Sequence, residues 1–153
     1  MQENVQLFKS LLLPQKFIAN LGFTYLEKEE SYWDNELLGR IYHFKFIKND
    51  RTIEFHFNET HNQITVNIDN EGPVDEDEDQ AVEYSFSLEQ WLDRKGISPI
   101  KYPFRLNSYE GTLQAQMQQF FAFLDQALQD DTLQKILRRE TWDYVSFDWG
   151  DMK

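Results

Sequence analysis

The chain has 153 residues and a formal net charge of −12, and it contains 13 Phe, 7 Tyr, 4 Trp and no cysteine. The length predicts a single domain spanning residues 1–153, and the aromatic content predicts a core built largely from rings. The absence of thiols excludes disulfides, cysteine nucleophiles and cysteine-ligated metals. The charge argues against binding to nucleic acid or to anionic lipid headgroups.

The segment MQENVQLFKSLLLPQKF has no basic region ahead of its short apolar run, so it does not resemble a signal peptide. No stretch approaches the roughly 20 apolar residues that a membrane-spanning helix needs. We therefore expect a cytoplasmic protein, a monomer or homodimer, that uses no cofactor and contacts neither nucleic acid nor membrane. Its acidic surface is the natural complement of a basic protein partner.

A helical region is predicted first, in ENVQLFKSLLLPQKFIANLGF (residues 3–23), where apolar residues recur every three or four positions. Pro14 should kink this region or restart it as a second short helix, and Gly22 fits a C-terminal stop. FTYLEKEESYW (residues 23–33) is then predicted as a first strand, although its charged residues dilute the alternation. The chain should turn at DNELLG (residues 34–39).

An antiparallel meander is the clearest prediction. Turns at residues 49–50 and 60–61 align three strands so that the aromatic and β-branched residues of six predicted cross-strand pairs all fall on one face. A slip of one residue in either hairpin would scatter these side chains over both faces, so turn position and alternation support each other. The predicted pairs are Phe46–Ile53, Phe44–Phe55 and Tyr42–Phe57 in the first hairpin and Phe57–Ile64, Phe55–Val66 and Ile53–Ile68 in the second.

The second half of the chain is predicted to be mainly helical. A charged loop leads to a strand at AVEYSFS (residues 81–87) and a short helix at SLEQWLDRKG (residues 87–96), which has a capping-box pattern. A long helix follows, with an apolar stripe from Leu113 to Leu128 and a break near Asp130. The fold class is α+β: an antiparallel β-meander of about four to five strands packed against N-terminal and C-terminal helices.

The first hairpin also brings His43 opposite His56 and Lys45 opposite Glu54, on the face away from the rings. A cross-strand pair of Lys and Glu is typical of an exposed sheet surface. Zinc needs three or four preorganised ligands, and two imidazoles alone bind a metal weakly. We therefore interpret this face as a solvated or partner-facing surface, and we expect no metal site and no zinc binding tighter than about micromolar.

An acidic run, VDEDEDQ, lies in the charged loop. Aligned with an EF-hand loop it has Gln80 where glycine is needed and Phe86 where the bidentate glutamate belongs, so it is a poor calcium site. The run is either solvated or an acidic patch that faces a partner. Its five carboxylates are Asp75, Glu76, Asp77, Glu78 and Asp79.

No arrangement of residues points to catalysis. The chain lacks GxSxG, a phosphate-binding glycine loop and HExxH. Carboxylates are so numerous that any one pair carries little information, and a glycosidase-type pair could be hidden among them. We expect no catalytic residues. The alternative is a small carboxylate-based enzyme, which would need a concave pocket with at least two carboxylates of raised pKa.

The C-terminal segment TWDYVSFDWGDMK interleaves aromatic rings with carboxylates. These rings could pack over the helices, or they could anchor a partner, because Trp and Tyr dominate interface hot spots. An acidic rim around such anchors favours a basic partner and fast association. The candidate partner-binding residues here are Trp142, Tyr144 and Trp149.

The order of elements resembles that of small bacterial immunity-type proteins of toxin–immunity systems. The resemblance is carried by LGF (residues 21–23), the aromatic meander, the acidic loop, SLEQWL (residues 87–92), a late amphipathic helix and a closing W…FDWGD (residues 142–151). It implies a non-catalytic protein that binds a cognate toxin, often a cationic nuclease, and occludes the active site of that toxin. It implies no individual site residues.

Two other classes are similar in part. Type III secretion chaperones are also small, acidic and α+β, and they bind unfolded effector segments as dimers. This chain differs from them by placing its strands in one early meander and adding a long helical region and an aromatic tail. A phage-encoded inhibitor that mimics nucleic acid is physically close to an immunity protein. The leading hypothesis is an acidic inhibitor of a cationic protein.

Overall fold

The computed structural model describes residues 3–70, 85–96 and 100–138. These ranges contain helices and an antiparallel sheet, which confirms the α+β fold class. None of the described helices is long and apolar enough to cross a membrane. In chain order the elements are α1 (Glu3–Leu12), α2 (Lys16–Asn20), β1 (Thr24–Tyr25), β2 (Ser31–Asn35), β3 (Gly39–Lys48), β4 (Arg51–Asn58), β5 (Gln63–Asn70), β6 (Ser85–Ser87), α3 (Leu88–Lys95), α4 (Leu113–Ala127) and α5 (Asp131–Leu137).

The described strands form one sheet in the order β1–β3–β4–β5–β6, and β2 also pairs with β3. The predicted register of the meander is confirmed at all of its pairs, from Tyr42 opposite Phe57 to Ile53 opposite Ile68. Asn49 closes the β3–β4 turn with a φ of 56°, a left-handed conformation that Asn tolerates better than most residues. The two turns therefore fix the register of the three strands, and the Phe and Tyr rings of the predicted pairs share one face.

The first predicted strand differs from the structure. The sequence predicts one strand over residues 23–33, whereas the structure has two, β1 and β2, separated by a 3₁₀ turn at Glu27–Glu29. Both strands pair with β3, so together they form an interrupted edge strand. The interruption lets Glu30 form an ion pair with Lys9 of α1 at 2.7 Å and accept a hydrogen bond from the hydroxyl of Tyr25. The charged run thus connects the sheet edge to α1.

Phe8 of α1 lies at the centre of the aromatic core. Its ring stacks on Phe57 of β4 with a centroid distance of 4.8 Å, and it lies 5.7 Å from the ring of Phe44 in β3. It also lies 5.5 Å from Phe121 of α4. All four rings are buried. One side chain therefore contacts two central strands and a second helix, so α1 and α4 pack on the same face of the sheet.

Local capping signals end the helices at the predicted places. Pro14 lies between α1 and α2, as expected for a restarted helix. Ser87 caps α3, since its hydroxyl oxygen accepts a hydrogen bond from the backbone N–H of Gln90, and Gly96 ends this helix with a φ of 65°. Asp130 caps α5 by accepting two hydrogen bonds from backbone N–H groups of its first turn. The predicted break near Asp130 is therefore confirmed.

A buried arginine joins the sheet to α5. Arg51 begins β4 and is only 5% exposed. Its Nε donates to the carbonyl oxygen of Ile136 at 3.0 Å, and its Nη1 donates to Oδ1 of Asn70 at 2.8 Å. A buried cation is costly unless its donors are satisfied. The bond to Ile136 therefore holds α5 against the end of the sheet, and the bond to Asn70 links β4 to β5.

Phe8→Ala should lower the free energy of unfolding by about 3–5 kcal/mol, because it removes a fully buried ring that contacts three elements. Leu37→Ala is the control: this side chain is 89% exposed, so its loss should change the free energy by less than about 0.5 kcal/mol. Equilibrium unfolding in urea measures both variants. Equally small effects in the two would contradict the central position of Phe8.

Candidate functional site

The face of the sheet opposite the helices carries polar side chains. The register places His43 opposite His56 and Lys45 opposite Glu54, which confirms the pairing predicted from the sequence. These side chains are partly buried rather than fully solvated. We call the group formed by Trp33, His43, Glu54 and His56 the histidine cluster.

The two imidazole rings of the histidine cluster are stacked, with centroids 3.8 Å apart and planes inclined by 11°. Trp33 stands edge-on to both, at centroid distances of 4.1 Å from His43 and 5.4 Å from His56. The pairing of β2 with β3 sets Trp33 opposite Ile41, on the same face as His43. Sequence reasoning misses Trp33 because it assigns no pairing partner to the strand that carries it.

Glu54 connects the histidine pair to Lys45. Its Oε2 lies 3.3 Å from Nε2 of His56, and its Oε1 lies 3.9 Å from Nζ of Lys45. Nζ of Lys45 is also 3.8 Å from a carboxylate oxygen of Glu29. The hydrogen bond with His56 holds the pKa of Glu54 below its usual value, although burial acts in the opposite direction. Glu54 is therefore ionised at neutral pH and presents a negative charge to the imidazoles.

His43 has a lowered pKa and a buried ring nitrogen without a partner among the described residues. Burial, with the charge that His56 can carry and the nearby Lys45, lowers the pKa of His43 to about 4. Its Nε2 is buried and has no hydrogen-bond partner among the described residues. A buried polar atom without a partner costs free energy comparable to a lost hydrogen bond. Such an atom in a native protein often marks a bound water, an ion or a functional role.

Three members of the cluster have the chemistry of metal ligands. His43, Glu54 and His56 each offer one ligand atom, and these atoms lie within 4.8 Å of one another. In the part of the chain that the structure describes, no other group of three histidine and carboxylate side chains comes this close together. The sequence predicts no metal site because it pairs the carboxylate of Glu54 with Lys45. In the structure this carboxylate also lies beside the imidazole of His56.

A second surface lies at the β2–β3 hairpin, which exposes large apolar side chains. The side chain of Leu37 is 89% exposed, and that of Tyr32 is 56% exposed. The turn is ordered, because Oδ1 of Asn35 accepts hydrogen bonds from the backbone N–H groups of Leu37 and Leu38 at 2.8 and 3.0 Å. The sequence feature that could have indicated this surface is a pair of leucines inside a predicted turn, where polar residues are usual. We call the exposed side chains of this hairpin, Tyr32, Trp33, Leu37 and Leu38, the hairpin patch, in which Tyr32 lies on the face of Tyr42 and Trp33 on the face of His43.

The segment that carries the hairpin patch is strongly acidic. Residues 27–36 contain five carboxylates and one lysine. Asp34 pairs with Arg40 across the hairpin at 2.8 Å, and the guanidinium of Arg40 lies 4.1 Å from the ring centroid of Tyr32. The hydrogen bond from Arg40 lowers the pKa of Asp34. The patch is therefore apolar at its tip and lies within an acidic segment, in which Asp34 is paired with Arg40.

A separate cavity of about 560 Å³ borders α3. It is lined by Glu89 and Asp93, four positions apart on that helix, and by Lys101 and Tyr102 among others. Burial raises the pKa of Glu89, while the charge of Arg105 acts in the opposite direction. The enzyme alternative requires a concave pocket with at least two carboxylates of raised pKa, and this cavity has one such group, Glu89.

The partner-binding residues predicted from the sequence lie outside the described residues. Their role in binding stays a prediction, and the hairpin patch is a surface that the sequence analysis does not single out. The residues concerned are Asp75, Glu76, Asp77, Glu78 and Asp79 of the acidic run and Trp142, Tyr144 and Trp149 of the C-terminal segment.

No protein-family model matches the sequence, and neither a curated protein nor a solved structure is significantly similar to the chain. A proposal about function therefore depends on the chemistry of these residues alone.

The low pKa of His43 predicts a loss of stability in mild acid. The unfolded chain takes up a proton at this residue near pH 6.5, whereas the folded protein does so only near pH 4. Between these values the unfolded state binds more protons, so the free energy of unfolding should fall as the pH drops from 6.5 towards 4. Above that window His43 is neutral in both states and should contribute no pH dependence.

His43→Gln should remove this component, which urea unfolding in a metal-free buffer at several pH values can measure. His61→Gln is the matched control, because His61 is an exposed turn residue outside the cluster. The control should keep the wild-type slope of stability against pH. If His43→Gln also kept that slope, His43 would not be the residue that resists protonation.

Proposed function

We propose that this protein is a non-catalytic, acidic binding protein of the cytoplasm that inhibits a cationic protein, most simply as the immunity protein of a toxin. The observation that carries the proposal is the hairpin patch. It combines exposed apolar side chains with an acidic segment, residues 27–36, in a chain whose net charge is −12. This combination suits a partner with a basic surface around an apolar pocket.

The apolar part of the patch would supply affinity. Large apolar side chains exposed together commonly mark protein interaction sites. The two hydrogen bonds to Asn35 hold the turn in one conformation before any partner arrives. A preordered turn loses less conformational entropy on binding than a flexible one. Leu37 and Leu38 are therefore suited to act as anchors.

The charged part would steer the partner towards the patch and raise the association rate. Negative residues of this segment and of the whole chain attract a basic protein and repel nucleic acid. Charges at the rim of an interface mainly raise the rate of association, and salt screens their effect. The acidic run of residues 75–79 would add to this attraction. The same charge also allows mimicry of nucleic acid, as in a phage-encoded inhibitor.

A secretion chaperone is the nearest alternative among binding proteins. A chaperone would bind an unfolded segment of its effector, whereas an immunity protein binds a folded toxin and blocks its active site. Inhibition of an enzymatic activity in the isolated partner separates the two. The ordered hairpin turn favours a folded partner with a complementary pocket.

The enzyme alternative has one specific observation in its favour, the cavity with Glu89 and Asp93. The two carboxylates lie on one helix, and burial raises the pKa of Glu89 as a general acid would require. This alternative predicts turnover of a small substrate that is lost in Glu89→Gln. The binding proposal predicts that Glu89→Gln leaves inhibition of the partner unchanged.

Capture from the native host, followed by mass spectrometry, should recover a basic protein in a stoichiometric complex. The isolated partner should lose its activity when the full-length chain is added. Leu38→Ser should weaken the complex, and Leu13→Ser is the matched control because the two side chains are similarly exposed, at 42% and 39%. Capture of an acidic protein, or equal binding by both variants, would contradict the proposal.

Association with the partner should be fast at low salt and should slow as the Debye length shrinks from roughly 30 Å at 0.01 M to 8 Å at 0.15 M. Neutralising all five carboxylates of residues 75–79 should mainly lower the association rate. Trp142→Ala or Trp149→Ala should instead raise the dissociation rate, at a cost of about 2 kcal/mol or more if the ring is an anchor. Stopped-flow binding measures both rates.

Thermal melts must accompany these Trp variants, because loss of a buried Trp can cost about 3–5 kcal/mol of stability. If both variants melted early yet bound normally at low temperature, the rings would belong to the core and not to the interface.

A further inference from the structure

We infer that His43, Glu54 and His56 form a binding site for one divalent first-row metal ion, with Zn²⁺ as the probe of choice. The inference is independent of the proposed partner. The sequence analysis expects no metal site, because it finds only two imidazoles and pairs the carboxylate of Glu54 with Lys45. The structure instead brings all three side chains together on two adjacent strands.

The donor set fits this class of ion. Imidazole nitrogen and carboxylate oxygen are both common zinc ligands, and three protein ligands leave one position for water or another group. The same donors also suit other first-row divalent ions. Calcium and magnesium are poorly matched, because they prefer oxygen ligands alone. A transition metal ion is therefore the ligand that this cluster can recognise.

The geometry needs rotation of the side chains, because the two imidazole planes lie almost parallel, inclined by 11°. The three ligand atoms already lie within 4.8 Å of one another. Around a tetrahedral zinc ion with bonds of about 2.0–2.1 Å, neighbouring ligand atoms are about 3.4 Å apart. His43 and His56 are directly paired across the β3–β4 ladder, so the backbone is held in place. Rotation of the stacked rings towards Glu54 would close the remaining distance.

A buried atom without a partner favours a bound ion at this cluster. Nε2 of His43 is buried and has no partner among the described residues, and a metal bond would satisfy it. Glu54 supplies a carboxylate oxygen that lies 3.3 Å from Nε2 of His56. Lys45 opposes the cation, but its Nζ lies between the carboxylates of Glu54 and Glu29, at 3.9 and 3.8 Å.

Trp33 provides a local reporter. Its ring contacts both imidazoles edge-on, so any rotation of those rings must change the surroundings of the indole. Tryptophan emission should therefore change when the ion binds. Trp33→Phe should lose this change in emission while still binding zinc.

Isothermal titration of the full-length, chelator-treated protein with ZnCl₂ tests the inference. We expect one ion per chain. Because losing even an outer-shell partner of a metal ligand costs about 10–100-fold in affinity, His43→Ala, His56→Ala and Glu54→Gln should each weaken binding at least about tenfold. His61→Ala and Glu59→Gln are the matched controls outside the cluster, and they should bind zinc like the wild type.

Absence of a stoichiometric heat in the wild type would overturn the inference. Equal weakening in His61→Ala and His43→Ala would overturn it too, because binding would then not depend on the cluster. Circular dichroism should first show that each variant is folded. A second measurement needs no variant: zinc should shift the ring NMR signals of His43 and His56 together and leave those of His61 in place. Movement of the His61 signals alone would contradict the proposed site.

Discussion

Strict alternation along β3, β4 and β5 is the constraint on which the rest of this structure depends. Side chains in a strand point to opposite faces in turn, so a single register decides which residues enter the core. Here that register places the rings of Phe44, Phe55 and Phe57 on one face and both histidines on the other. The aromatic core and the polar cluster are therefore two results of one pairing.

The core follows from this ladder of rings. A sheet face covered with phenylalanines cannot remain in water, and α1 and α4 cover it together. Phe8 packs between them and the sheet, with rings of β3, β4 and α4 all within 6 Å of its centroid. At the end of the sheet Arg51 adds a polar connection to α5 by donating a hydrogen bond to the carbonyl oxygen of Ile136, and a second hydrogen bond joins it to Asn70 of β5. Apolar packing thus sets the layers, and a buried cation positions the last described helix.

The histidine cluster lies on the opposite face of the sheet, and the hairpin patch adjoins it at the edge. β2 extends along the edge of β3 and does two things there. Its Trp33 covers the stacked imidazoles, and its turn exposes Leu37 within an acidic segment. The histidine cluster and the hairpin patch therefore share Trp33. Any partner that touches the hairpin would lie close to the cluster.

The sequence by itself determined the meander, its register, the helix cap at Ser87, the helix break near Asp130 and the pairing of His43 with His56. These features depend on local periodicity and on turn chemistry, which neighbouring residues set. Only the tertiary structure decided that the edge strand is split, that Trp33 covers the histidines and that Glu54 lies between His56 and Lys45. Those contacts join residues whose side-chain directions depend on strand pairing and burial, and a linear pattern of charged residues does not encode them.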